Sequence, residues 1–107
     1  MKILVICGAG ASSTFMAQRL RRAAADQALD VSVDAGAESQ VLSGTLTLDG
    51  VDVLLVGAHL ADHEPALRAV AEPLGTAVAV LPGDVFGVEG GARALELVLS
   101  IQSPTRR

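Results

Sequence analysis

The sequence contains almost no aromatic residues. It has no tryptophan and no tyrosine, and its two phenylalanines are Phe15 and Phe86. Proteins that bind single-stranded nucleic acids stack bases on aromatic side chains, and those that bind a phosphate backbone need a concentrated basic surface. This chain instead has a formal net charge of -4. We therefore expect no nucleic-acid partner.

Long apolar runs and cysteine pairs are also missing. No stretch approaches the ~20 apolar residues that cross a bilayer, and the apolar run 3–6 ends in a glycine-rich turn rather than in a secretory cleavage site. Cys7 is the single cysteine, so it has no internal disulfide partner and cannot build a cysteine-based metal site alone. We expect a cytoplasmic protein without a metal or cofactor and without direct insertion into the membrane.

The length of 107 residues fits one compact domain. We expect this domain to cover residues 1–103, followed by a flexible tail at 104–107. Within it, short apolar runs typical of buried parallel strands alternate with helical patterns. The predicted strands cover residues 2–6, 31–34, 51–56 and 76–81. The predicted helices cover residues 13–28, a short segment at 38–46, a segment that begins at Pro65, and residues 88–101.

Apolar spacing predicts which side of each helix faces the sheet. The expected inward positions are Met16, Leu20, Ala23, Ala24 and Gln27 in the first helix, Leu67, Val70, Ala71 and Leu74 in the third, and Ala92, Leu95, Val98 and Leu99 in the last. Asp62 and His63 are expected to cap the third helix. The basic cluster of Arg19, Arg21 and Arg22 is interpreted as a solvated helix face.

Four strands separated by helices predict an α/β fold. We expect one open, four-stranded parallel sheet, flanked by helices on both faces and joined by right-handed connections. Ligands of such sheets bind beyond the carboxyl ends of the strands. The loops at 7–13, 57–64 and 82–89 meet at that edge, so we expect the functional site among them.

The loop after the first strand has the composition of a phosphate-binding loop. It consists of Cys7, Gly8, Ala9, Gly10, Ala11, Ser12, Ser13 and Thr14. Gly8 and Gly10 permit turns with positive φ and a close approach of a ligand. The helix start that follows supplies unpaired N–H groups, and the three hydroxyl side chains add further donors. Together these groups can form an anion-binding concavity.

Cys7 lies at the base of this predicted concavity. A helix N-terminus lowers the pKa of a nearby thiol below its usual value of about 8.5, and a thiolate beside a phosphate site is a nucleophile for phosphoryl transfer. The alternative is a small buried residue that only ends a strand. The loop rich in glycine and hydroxyl groups directly after Cys7 favours a reactive cysteine over that alternative.

Three related motifs fit the loop less well. A Walker A loop requires Gly-Lys-Ser or Gly-Lys-Thr, and this loop has no lysine. The dinucleotide pattern GxGxxG begins at Gly8 and Gly10 but meets Ser13 at its third glycine, although Asp34 could imitate the ribose-binding acid. A cysteine phosphatase loop needs arginine at position 13. Without that arginine, the loop is suited to hold a phosphocysteine and pass it on.

Three segments resemble a known family. KILVICGAGASSTFMAQRL, VDVLLVGAHL and VLPGDVFGVEGGARALELVL are similar, in this order, to segments of the IIB component of the lactose/cellobiose (N,N'-diacetylchitobiose) branch of the bacterial sugar phosphotransferase system. The resemblance implies a four-stranded parallel sheet with helices on both faces. It also implies that Cys7 accepts a phosphoryl group from a histidine of a IIA component and passes it to a sugar bound by the membrane component IIC. The loop from Gly8 to Thr14 would hold this group.

Two other functions stay open at this point. The Cys7 site could report the phosphorylation state of such a system to a partner, as a regulatory module. Alternatively, the chain could be a small nucleotide-binding module that uses Gly8, Gly10 and Asp34. Saturable binding of a dinucleotide would distinguish the last hypothesis from the other two.

Three further polar residues lie in the loops of the predicted edge. His59 and His63 are four residues apart and could share a metal on one helix face, but no third ligand is evident, which favours surface or capping positions. His59 could also contact a phosphate. Asp84 could act as a general acid, although aspartate in a Pro-Gly-Asp sequence is usually a turn residue.

Overall fold

The computed structural model describes residues 1–7, 11–81 and 90–101. The sequence candidates Gly8, Ala9, Gly10, Asp84 and Phe86 and the expected tail lie outside them. The strands are β1 (Lys2–Cys7), β2 (Ser32–Ala37), β3 (Val53–Val56) and β4 (Ala77–Val80), and the helices are α1 (Ala11–Asp26), α2 (Glu38–Leu42), α3 (Glu64–Ala71) and α4 (Gly90–Ile101). Short 3-10 segments, Ala58–His63 and Glu72–Leu74, flank α3.

The four strands form one parallel sheet in the order β2-β1-β3-β4. The predicted four-stranded parallel sheet is therefore confirmed. β1 lies inside the sheet, between β2 and β3. This position explains its continuous apolar run, because an interior parallel strand is covered on both faces: Ile3, Leu4, Val5 and Ile6 are at most 2% exposed.

The sheet separates two apolar cores, because successive residues of a strand point to opposite faces. On one face, Ile3 and Val5 belong to a core that includes residues of α1 and α4. On the other face, Leu4 and Ile6 belong to a core that includes Leu67 of α3. Helices thus cover both faces, as the sequence predicted.

Two element boundaries near the carboxyl edge of the sheet differ from the predicted ones. α1 begins at Ala11 rather than at residue 13, so part of the predicted loop is helical. β2 continues to Ala37 rather than ending at Asp34. Residues of β2 pair with β1 along its whole length, so tertiary pairing overrides the low strand preference of Gly36. As a result, β2 ends at Ala37 instead of Asp34 at the carboxyl edge of the sheet, and α1 begins there at Ala11.

The apolar face of α3 is narrower than predicted. Leu67 and Ala71 are buried, but Val70 and Leu74 are exposed. The prediction for Leu74 was wrong because α3 ends at Ala71 and a 3-10 segment follows, which breaks the α-helical spacing. Val70 lies within α3, about 100° around the helix from the buried Ala71, so it falls outside the buried stripe.

The predictions for the inward faces of α4 and α1 were also partly wrong. Leu95 and Val98 are buried as predicted, whereas Ala92 is exposed and Ala94 is buried instead. Residues two apart stand about 200° apart around a helix, so these two alanines cannot share a face. Gln27 is exposed because α1 ends one residue before it.

Both edge strands receive a hydrogen bond from an arginine side chain. Arg21 of α1 donates from Nε to the Val33 carbonyl of β2 at 2.8 Å, and also from Nη2 to the same oxygen. Arg68 of α3 donates from Nη2 to the Val78 carbonyl of β4 at 3.1 Å. Arg21 is therefore more than part of a solvated basic face, since its guanidinium ties α1 to the sheet.

Candidate functional site

Cys7 is the last residue of β1 and lies at the carboxyl edge of the sheet. Its register partner in β2 is Ala37. On the other side, the Gly57 N–H donates to the Ile6 carbonyl at 3.0 Å. Because neighbouring strands lie about 4.8 Å apart, Ala37 and Gly57 are about 10 Å apart with Cys7 between them. The predicted nucleophile thus stands between the ends of both neighbouring strands.

The first turn of α1 follows Cys7 closely in sequence. Ala11, Ser12 and Ser13 are its first residues, and helix geometry leaves the N–H groups of a first turn without intrahelical acceptors. The helix dipole favours an anion at this end, and the turn contains no acidic residue. Thr14 follows in the helix and is exposed. Four of the predicted phosphate-binding residues are therefore helical rather than part of a loop.

A carboxylate–imidazole pair lies at the same edge. Glu38 directly follows β2, and its Oε2 atom contacts Nδ1 of His63, the last residue of the 3-10 segment after β3. The Glu38 side chain is 15% exposed and the His63 side chain 52% exposed. His63 occupies the N-cap position of α3, as predicted, but its side chain makes no capping hydrogen bond and contacts Glu38 instead.

Sequence reasoning missed Glu38. The two residues are 25 positions apart and come together only because β1 places the ends of β2 and β3 on either side of itself. The available signal was the end of β2: once the strand is taken to Ala37, Glu38 is the first residue beyond it, at the edge where ligands of such sheets bind.

Two weaker sequence candidates gain no support. Asp34 lies in the middle of β2, in register with Leu4, and its Oδ1 atom is 3.9 Å from Arg21 Nη2. It is therefore away from the edge where a dinucleotide would bind. His59 and His63 lie in a 3-10 segment rather than on one α-helical face. Across residues 1–7, 11–81 and 90–101, no group of three His, Cys, Asp or Glu residues is placed to hold a metal ion.

Comparison with known proteins identifies the family. A family model for the lactose/cellobiose-specific IIB subunit of the phosphotransferase system matches residues 2–96. The chain belongs to this family. The resemblance drawn from three sequence segments is thereby confirmed. No curated protein matches the chain.

Two solved IIB structures are similar to this IIB subunit. The lactose-specific IIB component domain of the phosphoenolpyruvate:carbohydrate phosphotransferase system from Streptococcus pneumoniae has a TM-score of 0.76 and 20% sequence identity, covering 94% of this chain and 95% of that one. The cellobiose-specific phosphotransferase IIB component from Borrelia burgdorferi has a TM-score of 0.68 and 27% identity, covering 94% and 89%. These similarities confirm the predicted α/β architecture.

Membership places the IIB subunit in a sugar-transporting phosphotransferase system, as a phosphotransferase component. IIB domains work together with IIA and IIC partners. Among the helices of residues 11–81 and 90–101, none has the length and apolar character needed to cross a membrane.

Proposed function

We propose that this IIB subunit carries a phosphoryl group on Cys7. The group comes from a phosphohistidine of a IIA component and goes to a sugar bound by the membrane component IIC, on the cytoplasmic side of the membrane. The observation that carries the proposal is the position of Cys7 at the carboxyl end of the interior strand β1, shortly before the first turn of α1. Ligands of open parallel sheets bind at this edge, and helix N-termini bind phosphate.

In the first transfer, the Cys7 thiolate attacks the phosphorus atom of the donor. The bond between phosphorus and the imidazole nitrogen breaks, a sulfur–phosphorus bond forms, and the donor nitrogen keeps the electron pair. The N–H groups of Ala11, Ser12 and Ser13, in the first turn of α1, stabilise the negative charge on the phosphoryl oxygens. The proposed phosphate-binding set also contains Gly8 to Gly10 and the hydroxyl group of Thr14.

In the second transfer, Cys7 is the leaving group. A sugar hydroxyl oxygen attacks the phosphorus atom and gives its proton to a base of the membrane component. The sulfur–phosphorus bond breaks, and Cys7 leaves as a thiolate, ready for the next donor. A thiol whose anion is favoured by a helix N-terminus suits both steps, because the thiolate is nucleophile in one and leaving group in the other.

Ser13 favours a carrier over a hydrolase. A cysteine phosphatase has arginine at the position that Ser13 occupies in this sequence. Charge-assisted hydrogen bonds are roughly twice as strong as neutral ones, so neutral donors hold a phosphoryl group less strongly. A phosphocysteine in such a site is held until an acceptor arrives, with less help for attack by water.

The proposal is tested by intact-protein mass spectrometry. The protein is incubated with phosphoenolpyruvate, enzyme I, the histidine phosphocarrier and a panel of IIA proteins. The wild type should gain the mass of one phosphoryl group, and this group should be labile as a thiophosphate is. Cys7→Ser and Cys7→Ala run in parallel as controls. A gain that persists in Cys7→Ala, or no gain with any IIA protein, would contradict the proposal.

The acceptor is tested by a chase. Phosphorylated protein is mixed with membranes that contain IIC components and with lactose, cellobiose or N,N'-diacetylchitobiose. Loss of the phosphoryl mass together with appearance of the sugar phosphate identifies the transport role. Phosphorylation of Cys7 that no sugar discharges would favour the regulatory alternative.

A further inference from the structure

One face of α1 lies outside the apolar cores and contains Phe15, Arg19 and Arg22, which we call the α1 stripe. Residues four and seven positions apart stand about 40° and 20° apart around a helix, so these side chains follow one narrow line along α1. Phe15 is 47% exposed, and Arg22 is exposed as well. Neither belongs to the core that α1 covers. Packing of that core therefore gives no reason for an aromatic side chain at position 15.

Arg19 and Phe15 form a preassembled pair. The Cζ atom of Arg19 lies 4.4 Å from the centre of the Phe15 ring, within the range of a cation–π interaction. Helical side chains lean towards the N-terminus of their helix, so Arg19 reaches back to the ring, and the ring leans towards the first turn of α1. A binding partner would meet two side chains that already hold each other in place, which lowers the entropy cost of binding.

The α1 stripe begins close to Cys7. Position 7 of β1 falls on the same face of the sheet as Ile3 and Val5, and α1 covers this face. α1 begins at Ala11, four residues after Cys7, and such a segment spans at most about 14 Å. Phe15 follows after a further rise of about 6 Å. A standard interface covers about 800 Å² on each partner, a disc about 32 Å wide, so one interface can contain both Cys7 and Phe15.

The α1 stripe is basic although the protein is acidic. The chain has a formal net charge of -4, whereas α1 contains three arginines and one acidic residue, Asp26, at its far end. The Arg21 guanidinium is bonded to the sheet, and Arg19 and Arg22 lie on the stripe. Aromatic and arginine side chains contribute most of the binding energy at protein interfaces. A surface of this kind is complementary to a partner whose surface is acidic and has an apolar pocket.

Charge also distinguishes the two proteins that must reach Cys7. The cytoplasmic loops of membrane proteins carry an excess of lysine and arginine, and such loops would be repelled by Arg19 and Arg22. A phosphoryl donor that is not embedded in the membrane has no such bias. Charge complementarity therefore favours the IIA component over the membrane component IIC as the protein that covers the α1 stripe.

We infer that the α1 stripe is the docking surface for the IIA phosphoryl donor, and that the donor presents an acidic surface with an apolar pocket for Phe15. The inference rests on the proposed function. The Phe15 ring enters the pocket, while Arg19 and Arg22 attract carboxylates of the donor and guide its approach. The stripe takes no part in the bonds that form and break during transfer. Its residues therefore affect the KM for the donor and not kcat.

The first test measures phosphoryl transfer from the phosphorylated IIA protein that is most active in the panel. Phe15→Ala should raise the KM for this donor by about 10- to 30-fold, as a central aromatic contact does, with kcat within about twofold of the wild type. Arg19→Gln should raise KM by about 3- to 10-fold. Arg19→Glu should raise it further, because the new charge repels an acidic partner.

Two substitutions at the opposite edge of the sheet serve as matched controls. Leu74 is 52% exposed and lies just before β4, so Leu74→Ala removes an exposed apolar side chain far from Cys7. Lys2 is exposed at the start of β1, so Lys2→Gln removes the same charge as Arg19→Gln. Both controls should keep the KM of the wild type. Thermal denaturation of each variant verifies that the protein is folded at the assay temperature.

Ionic strength tests the charge of the partner. The kcat/KM of the wild type should fall as salt is added, because salt screens the attraction between exposed charges. The double variant Arg19→Gln, Arg22→Gln should lose most of this dependence. A wild-type kcat/KM that does not change with salt, or an equal KM in Arg19→Gln and Arg19→Glu, would overturn the acidic partner.

The sugar chase separates the two possible occupants. Discharge of phosphorylated Phe15→Ala by membranes that contain IIC should stay within about twofold of the wild type. A loss of discharge as large as the loss in the donor step would overturn the assignment to IIA. Unchanged KM in Phe15→Ala while Cys7 accepts its phosphoryl group would overturn the docking surface and leave the proposed function intact. Failure of Cys7 to accept a phosphoryl group from any IIA protein would remove both.

Discussion

Gly36 and Leu46 pack so closely that a Cβ atom on residue 36 would overlap with the Leu46 Cδ2 atom. Gly36 lies in β2 opposite Ile6, and Leu46 packs against the core shared by α2 and α3. The φ of Gly36 is not in the left-handed region. Packing, and not backbone conformation, is therefore what requires glycine here.

We predict that Gly36→Ala lowers the free energy of unfolding by about 1–3 kcal/mol, because the added methyl group forces Leu46 out of its position. Urea denaturation measures the change. The double variant Gly36→Ala, Leu46→Ala should be more stable than the sum of the two single losses predicts, because the shortened side chain leaves room for the new methyl group. Strictly additive losses would contradict the packing explanation.

The end of α1 offers a stabilising substitution. Leu29 N–H donates to the Ala24 carbonyl at 2.9 Å and Ala28 N–H to the Ala25 carbonyl at 3.1 Å, the pattern of a Schellman motif. Ala28 has a φ of 54°, a conformation that costs a non-glycine residue roughly 1–2 kcal/mol. We predict that Ala28→Gly raises the free energy of unfolding by about 1 kcal/mol, measured by urea or thermal denaturation.

The control for Ala28→Gly is the same substitution three residues earlier. Ala25 is exposed and lies within α1, where glycine costs about 1 kcal/mol relative to alanine. Ala25→Gly should therefore destabilise the protein while Ala28→Gly stabilises it. Changes of the same sign in both variants would show that the φ of residue 28 does not determine the effect.

A negative charge in the first turn of α1 should raise stability while it lowers activity. Ala11→Glu places a negative charge at a helix N-terminus, which stabilises a helix by about 0.3–1 kcal/mol. The same charge repels the phosphoryl group in the proposed site, so phosphorylation by a IIA protein should slow by about tenfold or more. Ala11→Gln has nearly the same size without the charge and should lose much less activity. Equal rates in the two variants would argue against anion binding at this turn.

The Arg21 side chain should stabilise the protein through its hydrogen bonds to the Val33 carbonyl rather than through its ion pair with Asp34. Arg21→Met keeps the apolar stem but removes the donors to the Val33 carbonyl, and it should lower the free energy of unfolding by about 1 kcal/mol. Asp34→Asn weakens only an ion pair of 3.9 Å between half-exposed side chains, so it should change stability by less than about 0.5 kcal/mol. The reverse order in thermal denaturation would contradict this assignment.

The sequence predicted the layers and the strand count because these follow from apolar patterns within each segment. The run from Ile3 to Ile6 indicates an interior strand by itself, since only burial on both faces tolerates it. The position of Cys7 at the carboxyl edge followed from the same run. Both are local signals, and the sheet confirms the strands that they indicated.

The errors arose where distant segments decide the structure. β2 reaches Ala37 because β1 offers a hydrogen-bonding partner along its whole length, and no local pattern in residues 35–37 shows this. The Glu38–His63 contact depends in turn on that end point and on the sheet order. The exposure of Leu74 reflects the change from α-helical to 3-10 spacing after Ala71, which the apolar spacing did not reveal.

The arginine hydrogen bonds at Val33 and Val78 have a consequence for self-association. Each edge strand offers carbonyl groups that a strand from a neighbouring molecule could use as a template, and at these two positions a guanidinium is already bound. Sideways growth of the sheet would have to break those bonds first. The two arginine side chains thus disfavour the addition of foreign strands along both sides of the sheet.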